Sequence, residues 1–207
     1  DPDANWNDGS CEYPGDEDYS LSFDGEDDWV TIDNDDIVFT SEQGLTVAFQ
    51  ANVASDGGGY ILSRYRNVAE SNFTISFGSS SNDDCFLWII GDGEGGDEVP
   101  PIQVDGINCM LDDLIYIVLG DDDYNTKVYF NNALIGQGNN SVSTIPSTEP
   151  LLIGRVSGDI APGFFNGTIT QIKTWNTALT LEQIQNIDNN DEYLSSYYKF
   201  NAGQDSI

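Results

Sequence analysis

Residues 45–53 read LTVAFQANV. Leu45, Val47, Phe49, Ala51 and Val53 alternate with Thr46, Ala48, Gln50 and Asn52. Side chains repeat every two residues along a strand and every 3.6 along a helix, so this stretch is expected to be a strand with one buried face. The same period runs through Asn72 to Phe77 (NFTISF), where Phe73, Ile75 and Phe77 share a face. It is looser in Leu21 to Phe23, Trp29 to Ile32 and Tyr60 to Arg64. Cys85 to Ile90, Leu114 to Leu119, Lys127 to Phe130, Leu151 to Arg155, Gly167 to Trp175 and Tyr193 to Phe200 add further strand candidates. Asn131-Asn132, between Val128-Tyr129-Phe130 and Ala133-Leu134-Ile135, suits a tight hairpin because Asn tolerates the left-handed conformation. One helix is expected: Thr180 as N-cap with Gln183 as its reciprocal partner, then Ile184 and Ile187 on one side. Many strands, one short helix and no βαβ alternation point to an all-β fold of two antiparallel sheets packed face to face.

A chain of 207 residues suffices for one domain with a sizeable core. Residues 1–17 read as a loop-rich, Cys-containing lead-in and 18–207 as the sandwich. Six Lys and Arg stand against 36 Asp and Glu, a net charge of −30. That field repels phosphate backbones and anionic lipid surfaces, so nucleic acid is not an expected partner. Membrane insertion is not expected either, because the longest apolar runs, Cys85 to Ile90 and Leu114 to Leu119, have six residues where a spanning helix needs about 20. Histidine is absent, which excludes Ser-His and Cys-His nucleophile pairs and His-containing zinc sites. The first residue is Asp1, with no signal-like apolar stretch behind it, so the expectation is a mature product or a piece of a longer protein.

Cys85 and Cys109, 24 positions apart and beside strand candidates, are expected to form a disulfide, with two buried free thiols as the alternative. A disulfide implies an oxidising, extracellular setting. Cys11 is left over.

Tyr19 to Ile32 (YSLSFDGEDDWVTI), Pro150 to Arg155 (PLLIGR), Phe164 to Ile184 (FFNGTITQIKTWNTALTLEQI) and Tyr197 to Gly203 (YYKFNAG) together resemble the laminin G-like, concanavalin A-like jelly-roll modules of extracellular proteins. The resemblance spans roughly residues 19 to 203. Residues 1 to 14 (DPDANWNDGSCEYP) resemble the end of a Cys-containing, Asp/Asn-rich repeat of secreted and surface proteins. The jelly-roll resemblance implies a two-sheet antiparallel sandwich acting as a non-catalytic module for adhesion or for binding an extracellular glycan or protein, often with Ca²⁺. Its metal position after the Gly-x-Ile of the late strand is usually acidic, whereas this chain has Thr170.

Four acidic clusters stand out: Asp24 to Asp28, Asn82 to Asp84, Asp92 to Glu98 and Asp121 to Asn125. Ca²⁺ takes six to eight oxygen ligands and has no need of histidine. The leading ligand candidates are Asp83, Asp84, Asp121, Asp122, Asp123 and Asn125; a solvated acidic loop is the alternative. A glycan would require an aromatic platform with polar rims. Trp29, Trp88, Trp175, Tyr65 and Tyr124 are available; Trp88 and Trp175 sit in apolar runs and are expected in the core, and Tyr65, between Arg64 and Arg66, is the best exposed ligand candidate. Asn72, Asn139 and Asn166 begin N-glycosylation sequons, at a number chance alone would give. Jelly rolls can host sugar hydrolysis by paired carboxylates, for which the signature of the resembling family would read Glu-x-Asp-x-x-Glu on one strand, and the chain has no such run. The expected function is non-catalytic binding, with a structural repeat of an extracellular filament, self-assembling with like modules, as the alternative.

Overall fold

The period of two in Leu45–Val53 is realised as a nine-residue strand at the heart of a β-sandwich, seen in a computed structural model. The structure describes residues 20–32, 44–55, 57–64, 73–79, 84–91, 101–120, 125–139, 150–156, 163–187 and 194–199. The lead-in, with Cys11, lies outside them. In chain order the strands are β1 (Leu21–Asp24), β2 (Val30–Ile32), β3 (Leu45–Val53), β4 (Gly58–Arg64), β5 (Phe73–Ser79), β6 (Asp84–Gly91), β7 (Ile102–Asn108), β8 (Ile115–Leu119), β9 (Asn125–Phe130), β10 (Ala133–Asn139), β11 (Leu151–Ile153), β12 (Asn166–Trp175) and β13 (Leu194–Lys199). Helix α1 (Leu181–Gln185) precedes the last strand.

Two antiparallel sheets result. One runs β1-β12-β3-β8-β9-β10, with β13 also on β12, and the other runs β2-β11-β4-β5-β6-β7. Consecutive strands pair in β4 to β7 and β8 to β10, but other neighbours are far apart in sequence: β3 lies between β12 and β8, and β11 between β2 and β4. This non-local order is that of a jelly roll. The long β12 carries β1 along its first half (Leu21 opposite Ile169) and β13 along its second (Lys199 opposite Gln171).

The main core lies between the sheets. Val47, Phe49 and Ala51 of β3 meet Ile75 and Phe77 of β5 and Leu87 and Ile89 of β6, all fully buried. A second cluster covers the opposite face of the seven-stranded sheet, where Ala48, Val118, Tyr129 and Trp175 pack against Leu179, Ile184 and Ile187. The β3 stretch is therefore buried on both faces near its start, where alternation alone implied one. The cause is the segment around α1, which lies over Thr46 and Ala48, both fully buried. Thr46 meets its burial cost with two bonds: its hydroxyl donates to the Thr177 carbonyl (2.8 Å) and accepts from the Leu179 amide (2.9 Å). The helix has five residues and the expected capping box: Thr180 Oγ1 accepts from the Gln183 amide (3.2 Å), and Gln183 Oε1 accepts from the Thr180 amide (2.8 Å).

At the expected hairpin, Asn131 and Asn132 take φ of 49° and 61°, and Phe130 pairs with Ala133. The Asp105-Gly106 pair, of a composition common in turns, lies inside β7. Gly106 takes a φ of 73° at a bulge, where β7 gains a residue against β6 between the Cys85–Ile107 and Leu87–Val104 pairs.

The Cys85–Cys109 disulfide forms, with Cα atoms 5.0 Å apart. Just here the chain leaves the six-stranded sheet and reaches the other: the Val53 amide donates to the Cys109 carbonyl (2.9 Å) and the Leu111 amide to the Ala51 carbonyl (3.2 Å). The bond pins a crossover between layers. Replacing both cysteines by serine is expected to lower unfolding stability by about 3 kcal/mol, the loop-closure value for a separation of 24 residues. Urea denaturation of the two forms measures it.

Candidate functional site

The two sheets bury their facing surfaces, and α1 covers the outside of one; on the outside of the other, Tyr60, Ser76, Phe86 and Trp88 keep some exposure while Ser63 and Thr74 are buried. Inward positions on β5 and β6 are fixed by Ile75, Phe77, Cys85, Leu87 and Ile89, all buried. Alternation then turns Ser76 and Trp88 outward. Trp88 is 40% exposed, which corrects its expected place in the core; Trp175, at 2%, is core as expected.

Register lines up a row across four strands. Tyr60 pairs with Ser76, Ser76 with Trp88, and Trp88 with Gln103. At the usual interstrand spacing the row is roughly 14 Å long. It is an indole bordered by a hydroxyl on one side and a carboxamide on the other, with a phenol beyond. The polar groups are oriented: the Ser76 hydroxyl donates to the Trp88 carbonyl (3.4 Å) and Gln103 Nε2 to Asp105 Oδ1 (2.7 Å). Beside the row, Phe86 pairs with Gly78. A Cβ on Gly78 would stand 3.2 Å from the Phe86 ring, so the glycine lets that ring lie down on the sheet. Tyr60 is half-buried, and desolvation raises its phenol above the ordinary value of 10.0, which keeps it a neutral hydrogen-bond donor.

One end of the sheet is closed by a cation held between rings. The Arg155 guanidinium lies 4.7 Å from the Trp29 ring centroid and 5.3 Å from that of Phe164. Its carbonyl accepts from the Ser63 hydroxyl (2.8 Å), and its Nε donates to the Val156 carbonyl (3.2 Å). These contacts fix the chain after β11 against β4, and Trp29 remains 47% exposed.

Of the residues singled out in sequence, Tyr65, Arg66, Asp83, Asp121, Asp122, Asp123 and Asn72 lie outside the described residues, as does the Asn125 side chain. Arg64 is half-buried at the end of β4, opposite Phe73. Asp84 is exposed at the head of β6, and its partner across the ladder is Asn108. Asn139 is exposed at the end of β10; Asn166 is half-buried opposite Asp24. Carboxylate oxygens of Asp24, Asp27 and Asp28, in the first acidic cluster, lie within 4.8 Å of one another. Asp24 Oδ1 accepts from the amides of Glu26 (2.8 Å) and Asp27 (3.4 Å), and Asp28 Oδ2 from the Asp24 amide (3.1 Å), so this turn uses its carboxylates to bind its own backbone.

Replacing Arg155 by alanine is expected to cost about 1–2 kcal/mol in urea denaturation, and lysine to recover only part of that, because an ammonium keeps the charge and loses the flat stack. Alkali provides a second check. Tyr60 holds its proton more tightly folded than unfolded, so its contribution to stability is complete below about pH 10 and is lost as pH rises through the raised folded value. Tyr60→Phe is expected to flatten the fall of the urea midpoint between about pH 9 and 11.

Solved structures share this fold. A carbohydrate-binding module of a Ruminococcus gnavus sialidase, solved with α2,3-sialyllactose, matches with a TM-score of 0.57 at 9% identity, over 82% of this chain and 97% of its own. A heptameric SAP-like pentraxin from Limulus polyphemus matches at 0.54 and 18% identity, over 81% of this chain and 73% of its own. The enzymatically active domain of a tailspike protein from bacteriophage CBA120 matches at 0.63 and 12% identity, over 89% of this chain and 30% of that one. No curated protein sequence matches significantly. A laminin G family model, described as the concanavalin A-like lectin/glucanases superfamily, matches residues 24–185, and the chain therefore belongs to that family.

Proposed function

We propose that the protein is a non-catalytic, extracellular glycan-binding module that holds its ligand on the outer face of the six-stranded sheet. The observation that carries this reading is Trp88: a large ring 40% exposed on a sheet face, directly flanked by Ser76 and Gln103. A sugar ring has an apolar face for the indole and a rim of hydroxyls for the flanking groups, and one large aromatic with a few placed polar groups is the usual economy of such sites. The similarity to the sialidase's carbohydrate-binding module supports the same class of ligand. The disulfide supports an extracellular setting.

A glycan array identifies the ligand, and titration with its best hit tests the row. Trp88→Ala is expected to weaken binding at least about 30-fold, the effect of losing about 2 kcal/mol at a central aromatic contact, with the melting temperature little changed. Gln103→Ala is expected to weaken it less. Undiminished binding by the Trp88 variant would remove the row from the account. The same titration in chelator separates a contact made by the row alone, for which no change is expected, from one bridged by Ca²⁺ at Asp83, Asp84 or Asp121 to Asp123.

A further inference from the structure

Strand β10 ends the seven-stranded sheet, with β9 on one side and no strand on the other among the described residues. Its inner side is closed, because Gly136 and Gly138 lie against Val104 and Ile102 of β7. Leu134, 47% exposed, faces Tyr129, and Ile135, 37% exposed, sits at the bulge that follows. The hairpin's closing pair is Phe130–Ala133, and beyond the bulge Gly136 faces Val128. Alternation from these pairs leaves the Gln137 main chain, between Gly136 and Gly138, turned away from β9.

Edge strands of this kind are ordinarily protected by a lysine, a proline or an inward-pointing charge. Ala133–Asn139 has none of these, and its one irregularity, the bulge between Leu134 and Gly136, sits at the hairpin end. The chain carries 36 acidic residues, yet none falls between Tyr124 and Thr148, its longest acid-free run. The next longest, Ile160 to Leu181, contains β12, an interior strand in which alternate residues are buried and the one charge is Lys173. β10 is exposed, so burial does not explain its neutrality. A polyanion repels copies of itself least where its surface carries no acid, and here an acid-free strand pair, with Lys127 of β9 beside Gln137, coincides with an edge that no described strand pairs.

We infer that β10 is a self-association edge, pairing antiparallel with the same strand of a second copy so that two seven-stranded sheets join and Leu134 and Ile135 become covered. A two-fold axis makes such a contact self-complementary. The remaining charge opposes it and sets its salt dependence. At about 10 mM salt, with a Debye length near 30 Å, the copies repel; at about 1 M, near 3 Å, only the contact itself matters.

Sedimentation velocity of the disulfide-bonded protein, made without N-glycans because Asn139 stands on this edge, tests the inference between those two salt concentrations. A monomer at low salt that becomes a dimer at high salt, at protein concentrations up to about 1 mM, is expected. Gln137→Pro removes an outward donor and Leu134→Glu adds like charge at the edge. Each is expected to leave a monomer throughout, with melting temperature and Trp88-dependent binding unchanged. A wild-type protein monomeric at every salt concentration, or a dimer that survives both substitutions, would overturn it.

Discussion

Phe49 of β3 and Phe77 of β5 meet edge to face across the sandwich, their centroids 6.0 Å apart, and this contact between layers fixes the side on which every neighbouring residue falls. Once Phe77 points inward, Ser76 and Gly78 point outward; once Leu87 faces it in register, Phe86 and Trp88 do too. The outer surface of the six-stranded sheet is thus a consequence of how the inner one packs. A slip of one residue would exchange Trp88 with Leu87 and bury Ser76, so the cost of misplacing the core also guards the outward row.

The two outer faces differ because, among the described residues, only that of the seven-stranded sheet carries an apolar roof. Trp175 and Tyr116, with ring centroids 6.1 Å apart, present an apolar surface that Leu179, Ile184 and Ile187 cover, and Thr46 ties the lead-in of that roof to β3. On the other face Ser76 is short beside Trp88, and Gly78 lets the Phe86 ring lie against the backbone. The pinned crossover at Cys109 and the Arg155 clamp hold the ends of the open sheet without covering Trp88.

Much of this was legible in the residues. Alternation marked β3 and β5, the Asn pair marked the β9–β10 hairpin, and Thr180 with Gln183 marked the helix start, because each is set by local geometry. Trp88 was not, since the run Cys85 to Ile90 is apolar at every position and hides its own period. The missing signal lay in other strands: Ser76 and Gln103, polar among apolar neighbours, define the face on which Trp88 stands, but only a register joins them. β7 was obscured for a different reason. Asp105-Gly106 has the chemistry of a turn, and a bulge demands the same backbone. The double burial of Thr46 depends on a segment some 130 residues later, which no local pattern reports.

Strands β1 and β13 share one edge of β12, and their registers bring Leu21 opposite Ile169 and Lys199 opposite Gln171. The first described strand therefore begins, and the last ends, beside nearly one point midway along β12. A body with adjoining entry and exit can be spliced into a surface loop of another protein without prying that loop apart. Held in that way it would hang as a pendant from its host, with its Trp88 face free to turn toward whatever lies outside.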